Sequence, residues 1–166
     1  CWNMMLNTKG PNALALYRQE SELIGATNSE YVKYGAYPVR REKERLNGII
    51  IATGSEVRTA LLLAEQLYNE NKIDLRVISM PCMELYEKQS EKYRQSLLPV
   101  GYKTIVIEAG SSLGWYKYVY NENPNVDYML SLKERIENMQ KPSWNEEDEK
   151  CLSFMTDIEV YLTEIF

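Results

Sequence analysis

The 166-residue chain contains no histidine. That absence removes the Ser-His and Cys-His nucleophile pairs, the imidazole acid/base and any imidazole-ligated zinc site. Cysteine is scarce as well. Cys1, Cys82 and Cys151 form no CxxC pair and cannot all pair with one another, so free thiols in a reducing cytosol are expected. No apolar run approaches bilayer length, and Ile49-Ile50-Ile51-Ala52 has the length of a buried strand, so no membrane is expected as a partner. The start, Cys1-Trp2-Asn3-Met4-Met5, lacks a basic region leading into an apolar one and is not read as a signal peptide. It also lacks an initiator methionine, and a piece of a longer protein is expected. Bases are in deficit, 19 against 24 acids for a net charge of −5, which argues against a nucleic-acid groove or an anionic membrane surface.

The remainder, 45% apolar and 26% charged, describes one globular domain with an appendage. A chain of this size buries about two-thirds of its unfolded surface and needs neither metal nor disulfide to fold. Residues 2–6 read as a helix end stopped by Gly10-Pro11, and Ala13-Leu14-Ala15-Leu16-Tyr17 as a short buried strand. Residues 20–35 are polar, with scattered Ser, Asn and Gly, and read as a linker holding at most one helical turn. A domain boundary is placed there.

Beyond the linker, strand and helix patterns alternate. Residues 35–39 suggest an edge strand, because Pro38 cannot donate to a ladder. Residues 48–53 form a β-branched run of the kind buried on both faces. Val57, Ala60, Leu61, Ala64, Leu67 and Tyr68 recur at helical spacing, and Leu62 and Leu63 widen the stripe toward cover on more than one side. Residues 75–80 and 104–108 read as further strands, 126–132 as a weaker one, 83–89 and 90–98 as short helices, and 148–166 as a closing helix. Such alternation predicts a mostly parallel sheet with helices on both faces.

Two strand-end loops are candidate sites. Thr53-Gly54-Ser55-Glu56 could hold an anion at a helix N-terminus or could be a capping box in which Thr53 accepts the N–H of Glu56. The capping box is favoured, because a carboxylate there repels phosphate and the Lys and second Gly of a P-loop are missing. Glu108-Ala109-Gly110-Ser111-Ser112-Leu113-Gly114-Trp115 offers small residues that admit a ligand or backbone closely, although its GxxxG spacing is not a dinucleotide fingerprint. A tight turn before a helix near Trp115 is favoured, with Glu108 needing hydrogen-bond partners. Thr53, Gly54, Ser55, Glu108, Gly110 and Ser111 therefore define a possible strand-end ligand cleft.

Cys82, after Pro81, is read as a small residue filling a gap rather than a reactive thiol. The acids at 146–149 lack calcium-loop alternation, and Ser143-Trp144-Asn145-Glu146 reads as a second capping box. Arg18 sits after an apolar run, where a planar fork could hold phosphate or carboxylate; pairing with Glu20 or Glu22 is the equal alternative.

Several blocks together resemble the transketolases. Ile51-Ala52-Thr53-Gly54-Ser55-Glu56-Val57 looks like the start of their C-terminal domain, and Val77-Ile78-Ser79-Met80-Pro81-Cys82-Met83-Glu84-Leu85-Tyr86 like the family's V-S-M-P-x-x-E-L-F stretch. Tyr93-Arg94-Gln95-Ser96-Leu97-Leu98-Pro99 and the Glu108 loop follow in the expected order. Ala13-Leu14-Ala15-Leu16-Tyr17-Arg18-Gln19 resembles the S-R-Q-N segment closing the pyrimidine-binding domain, with Tyr17 and Glu20 in place of Ser and Asn. After Val119 the match fades.

The resemblance implies a three-layer α/β/α domain with a five-stranded mixed, mostly parallel sheet whose first strand is antiparallel. It implies residues 1–34 as the tail of a preceding pyrimidine-binding domain plus linker, and 35–166 as the transketolase C-terminal domain. For the whole enzyme it implies thiamine diphosphate, a divalent metal, sugar-phosphate substrates of the pentose phosphate pathway, a homodimer and a cytoplasmic setting. Arg18 is then the residue that would contact substrate phosphate. The fragment itself is expected to bind neither cofactor nor metal and to be inactive alone. Two alternatives are a small-molecule-binding regulatory module and the C-terminal domain of a related thiamine-diphosphate enzyme, such as a 2-oxo acid dehydrogenase beta chain.

Overall fold

Three runs of aliphatic residues supply the centre of the sheet. Ile49, Ile50 and Ile51, then Leu75, Val77 and Ile78, then Ile105, Val106 and Ile107 are all buried, and every residue of the first two strands is buried. Continuous burial on both pleat faces is what a parallel sheet between helical layers demands. Each such side chain removed from water contributes roughly 1.5–3 kcal/mol. The computed structural model describes residues 1–16, 23–111 and 114–119, and the backbone of 129–131.

Chain order runs α1 (Trp2–Asn7), a single 3₁₀ turn (Val32–Tyr34), β1 (Tyr37–Arg40), β2 (Gly48–Ala52), α2 (Glu56–Asn71) and β3 (Leu75–Ser79). Then follow α3 (Met83–Glu87), α4 (Glu91–Leu97), β4 (Lys103–Glu108), α5 (Tyr116–Val119) and β5 (Met129–Ser131). The five strands lie in the order β1-β3-β2-β4-β5. β1 is antiparallel to β3, and the other pairings are parallel. Pro38 lies on edge strand β1 opposite Ile78, with a register shift before Arg40. The expected mixed α/β sheet is therefore present, first strand antiparallel.

Two cores separate the layers. On one face Ile50, Ala52, Val77, Ile105 and Ile107 pack with Val57, Ala60, Leu63, Ala64 and Leu67 of α2. On the other, Ile49, Ile51, Ile78 and Val106 pack with Tyr86, Leu97, Trp115, Tyr118 and Val119. Leu63 joins the core while Leu62 is exposed, so α2 is covered on one side only, correcting the wider stripe.

A second correction concerns residues 13–16, which form no strand; Leu16 is 69% exposed. A strand needs a ladder partner, and the sheet's strands all begin at or after Tyr37. Gly35 ties the linker to the domain. It adopts φ 79°, its carbonyl accepts from the Cys82 N–H at 3.0 Å, and a Cβ there would run into Tyr86 N and Cys82 O. The expected helix at 148–166, the second capping box, the acids at 146–149 and Cys151 lie outside the described residues.

Candidate functional site

The strand order places a topological switch between β2 and β4. β2 exits to α2 on one face, whereas β4 exits to α5 on the other. Open α/β sheets leave a crevice where adjacent strands send their connections to opposite faces. Ala52 is level with Ile107 on one side and with Ser79 on the other, so the loops after β2, β3 and β4 emerge together. Thr53, Gly54, Ser55, Glu108, Gly110 and Ser111 are thus all brought to one end of the sheet.

The local geometry differs from the expected capping box. Gly54, at φ 60°, turns the chain so that the Thr53 carbonyl meets the Glu56 N–H at 3.3 Å. Ser55 is the N-cap residue, but its helical backbone (φ −66°, ψ −30°) does not aim the side chain back at the first turn, and no side-chain cap forms. Instead the Ser55 hydroxyl donates to Glu56 Oε1 at 2.7 Å. Glu56 remains in the first turn, where the helix dipole favours a carboxylate.

Across the crevice, Glu108 accepts the Gly110 N–H at 2.8 Å, which supplies the partner its position requires. Burial pushes its carboxyl above the usual range; the Gly110 N–H opposes this, and the nearby Glu56 charge adds to the rise. The crevice is therefore acidic. The chain bends at residues 109–110 after β4, and Gly114, at φ 94°, leads into α5; residues 112 and 113 of the expected turn lie outside the described residues. Cys82 caps α3 from an extended backbone, donates to Glu84 Oε2 at 3.4 Å, and has its thiol pushed up by burial, as suits a packing residue rather than a nucleophile. Arg18, with Tyr17 and Glu20, lies outside the described residues.

A groove of about 580 Å³ opens elsewhere, between α3, α4 and α5, over Leu98 and Val100. Part of its polar wall is self-paired: Glu87 Oε1 takes the Lys117 ammonium and the Tyr118 hydroxyl, the latter at 2.9 Å. None of Thr53, Gly54, Ser55, Glu108, Gly110 and Ser111 lines the groove, and the topology favours the crevice as the ligand position.

Two charged networks escaped sequence reasoning. Arg76, on buried strand β3, forks onto Glu42 at 2.9 and 2.5 Å and donates to the Ser96 and Leu97 carbonyls at 2.9 and 2.8 Å. A charge inside an apolar run was the available signal, because a buried guanidinium must find partners. Arg40 pairs with Asp74 at 3.0 Å, and Asp74 also accepts the Lys43 and Glu44 N–H groups at 2.6 and 2.7 Å. A separation of 34 residues left no local signal.

Among the described residues no three His, Cys, Asp or Glu side chains converge to hold a metal ion, and no helix is long and apolar enough to cross a membrane. A sequence model of the transketolase-like C-terminal domain matches residues 35–132. The transketolase of Aquifex aeolicus is 40% identical over 123 residues, covering 71% of this chain and 18% of its own length. That of Bacillus subtilis is 42% identical over 123 residues, covering 70% and 18%. Among solved structures, a transketolase from Leishmania mexicana superposes with TM-score 0.54 at 41% identity over 58% of this chain and 14% of that one. A transketolase variant from Pichia stipitis gives 0.56 at 33% identity over 60% and 14%. The chain spans under a fifth of the length of these curated relatives.

Proposed function

The chain belongs to the transketolase family, matched through its C-terminal domain, and on that premise we propose that it works as the C-terminal part of a transketolase. The whole protein would transfer a two-carbon ketol unit between sugar phosphates, with thiamine diphosphate and a divalent metal, as a cytoplasmic homodimer. Residues 1–34 are then the end of a preceding domain and its linker, and 35–166 the C-terminal domain. The observation that carries this reading is the family match over residues 35–132; of the resembling blocks, three run from the ends of β2, β3 and β4 and the fourth, residues 93–99, lies mainly on α4.

The described residues do not fit the diphosphate–metal group. No metal-ligand cluster is formed among them, and Glu56 and Glu108 oppose a diphosphate at the strand ends. We infer that this segment supports the fold and the assembly, with Arg18 as its proposed contribution to substrate binding. A permanently charged guanidinium can hold phosphate through two charge-assisted hydrogen bonds. In the full-length enzyme, Arg18→Ala should lower kcat/KM for phosphorylated acceptors by about 2 kcal/mol, mainly through KM. The unphosphorylated acceptor glycolaldehyde should be largely spared. Equal losses on both acceptors would make Arg18 structural.

A second reading, a small-molecule regulatory site, is supported by the switch-point crevice between β2 and β4. Its acidity selects for neutral or cationic ligands. Glu108→Gln combined with a ligand-induced shift in melting temperature would separate the two readings.

A further inference from the structure

At the opposite end of the sheet from that crevice, where β1 ends beside the start of β3, three cations gather around one ring. Arg40, Lys43 and Lys72 lie 5.7, 4.3 and 5.6 Å from the centre of Tyr68. The Arg40 side chain is only 9% exposed. Its Nη1 is committed, donating to Asp74 Oδ1 and to the Leu75 carbonyl. Its Nε and Nη2 are buried and make no hydrogen bond. These two nitrogens form the side of the guanidinium that engages a carboxylate or phosphate with two parallel bonds.

A buried donor pair without acceptors is costly, and native structures leave few of them. What stands closest in charge is Glu65, whose Oε2 is 3.6 Å from Arg40 Nε, beyond hydrogen-bond range, while its Oε1 accepts from Lys43 Nζ at 2.8 Å. Glu65 is 48% exposed, so it can swing into water. The other two acids are spent elsewhere. Asp74 already accepts from Arg40 and two backbone N–H groups, and Glu44 accepts the Tyr68 hydroxyl at 3.0 Å. With Glu65 turned out, three cations face two acids and one positive charge is left over.

We propose that the Arg40 fork, with Lys43 beside it, is a phosphate-type oxyanion site for which the Glu65 carboxylate is the built-in competitor. An incoming oxyanion takes the Nε and Nη2 donors, captures the Lys43 ammonium and releases Glu65 to solvent. The Tyr68 ring adds a cation–π contact to Lys43 and Lys72, so Lys43 keeps part of its stabilisation when Glu65 leaves it.

The test is a titration of the 166-residue chain with inorganic phosphate, followed by the Arg40 Nε–H resonance in nitrogen-15 spectra. The expected result is a saturable shift at millimolar phosphate, and affinity raised roughly tenfold by Glu65→Gln, which removes the competing charge. Arg40→Lys keeps the charge but loses the fork, and binding should disappear. Because that variant also disturbs the Asp74 pair, the Glu65→Gln comparison carries the decision. A methyl phosphate arm separates the sources: tighter binding than phosphate assigns the site to a phosphate ester, and weaker binding to the free ion. No saturable shift of Arg40 in either protein, or an affinity that Glu65→Gln leaves unchanged, overturns the proposal.

Discussion

Arg76 and Glu42 allow a stability prediction with a defined size and pH signature. The Arg76 side chain is 7% exposed and Glu42 is 24% exposed, so the pair is sheltered but not fully buried. Removing one partner of a fully buried pair costs roughly 3–5 kcal/mol, because the other charge is left stranded. Here Arg76 would keep the Ser96 and Leu97 carbonyls and water could reach the Glu42 side, so Glu42→Gln should cost about 2 kcal/mol. Arg76→Met should cost about 2–3 kcal/mol, since two carbonyls at the end of α4 and the Glu42 carboxylate lose their donor together. The double variant should cost far less than the sum, with a coupling of about 1.5 kcal/mol or more.

Urea unfolding of the four proteins measures this cycle, and Glu42→Gln should lower Tm by about 4–8 °C. The hydrogen bond from Arg76 holds the Glu42 carboxyl below the usual range. Its stabilisation is therefore complete above the ordinary Glu pKa of about 4.3 and is lost as pH falls through the depressed value. Wild type and Glu42→Gln should converge in acid. A Glu42→Gln cost below about 0.5 kcal/mol that does not change with pH would refute the reasoning and reduce the pair to an exposed one.

Gly35→Ala should destabilise by about 3 kcal/mol or more, because a Cβ meets the α3 backbone, Leu85 C at 2.8 Å included, at φ 79°. Gly101→Ala, at φ 89° with open space around it, should cost only about 1 kcal/mol, and thermal melts compare the two. Thr53→Ala should change stability by less than about 0.5 kcal/mol in chemical unfolding, since the Thr53 carbonyl and not its hydroxyl meets the helix. Glu108→Gln should stabilise by about 0.5 kcal/mol at pH 7. A carboxyl raised by burial is favourable below its ordinary pKa and loses that advantage as pH rises through the folded value, so the gain should vanish near pH 4.

The strands of the domain were legible because burial on both faces writes itself as runs such as Ile49-Ile50-Ile51, and Pro38 marked the edge. Residues 13–16 misled for the opposite reason: an apolar run says that a segment wants cover, not that a ladder partner exists. Leu62 and Leu63 are adjacent in sequence yet sit about 100° apart around α2, and only one can face the sheet. The capping box failed at Ser55. Spacing of Ser/Thr and Glu cannot report that the N-cap backbone is helical rather than extended. The crevice residues were found because they end strands, whereas Arg40 and Asp74 meet only through antiparallel β1, a pairing that local pattern does not encode.

The two ends of the sheet divide the chain's charge in a way that bears on both sites. At the C-terminal ends of the parallel strands, the Glu56 charge adds to the burial that raises the Glu108 carboxyl, and Glu84 accepts from the Cys82 thiol. At the other end, Arg40, Lys43 and Lys72 converge on Tyr68, and Arg40 Nε and Nη2 make no hydrogen bond, with Glu65 3.6 Å from Nε. The three cations at the β1–β3 end are matched by Asp74, Glu44 and Glu65, so under the proposal an oxyanion gains its place there by displacing Glu65 from Arg40 and Lys43 rather than by long-range attraction. Salt largely screens exposed charges that lie more than about 8–10 Å apart at physiological ionic strength and screens sheltered groups much less. The sheltered Arg40 fork should therefore keep its selectivity in salt, while exposed Lys43, paired with exposed Glu65, should lose most of its share.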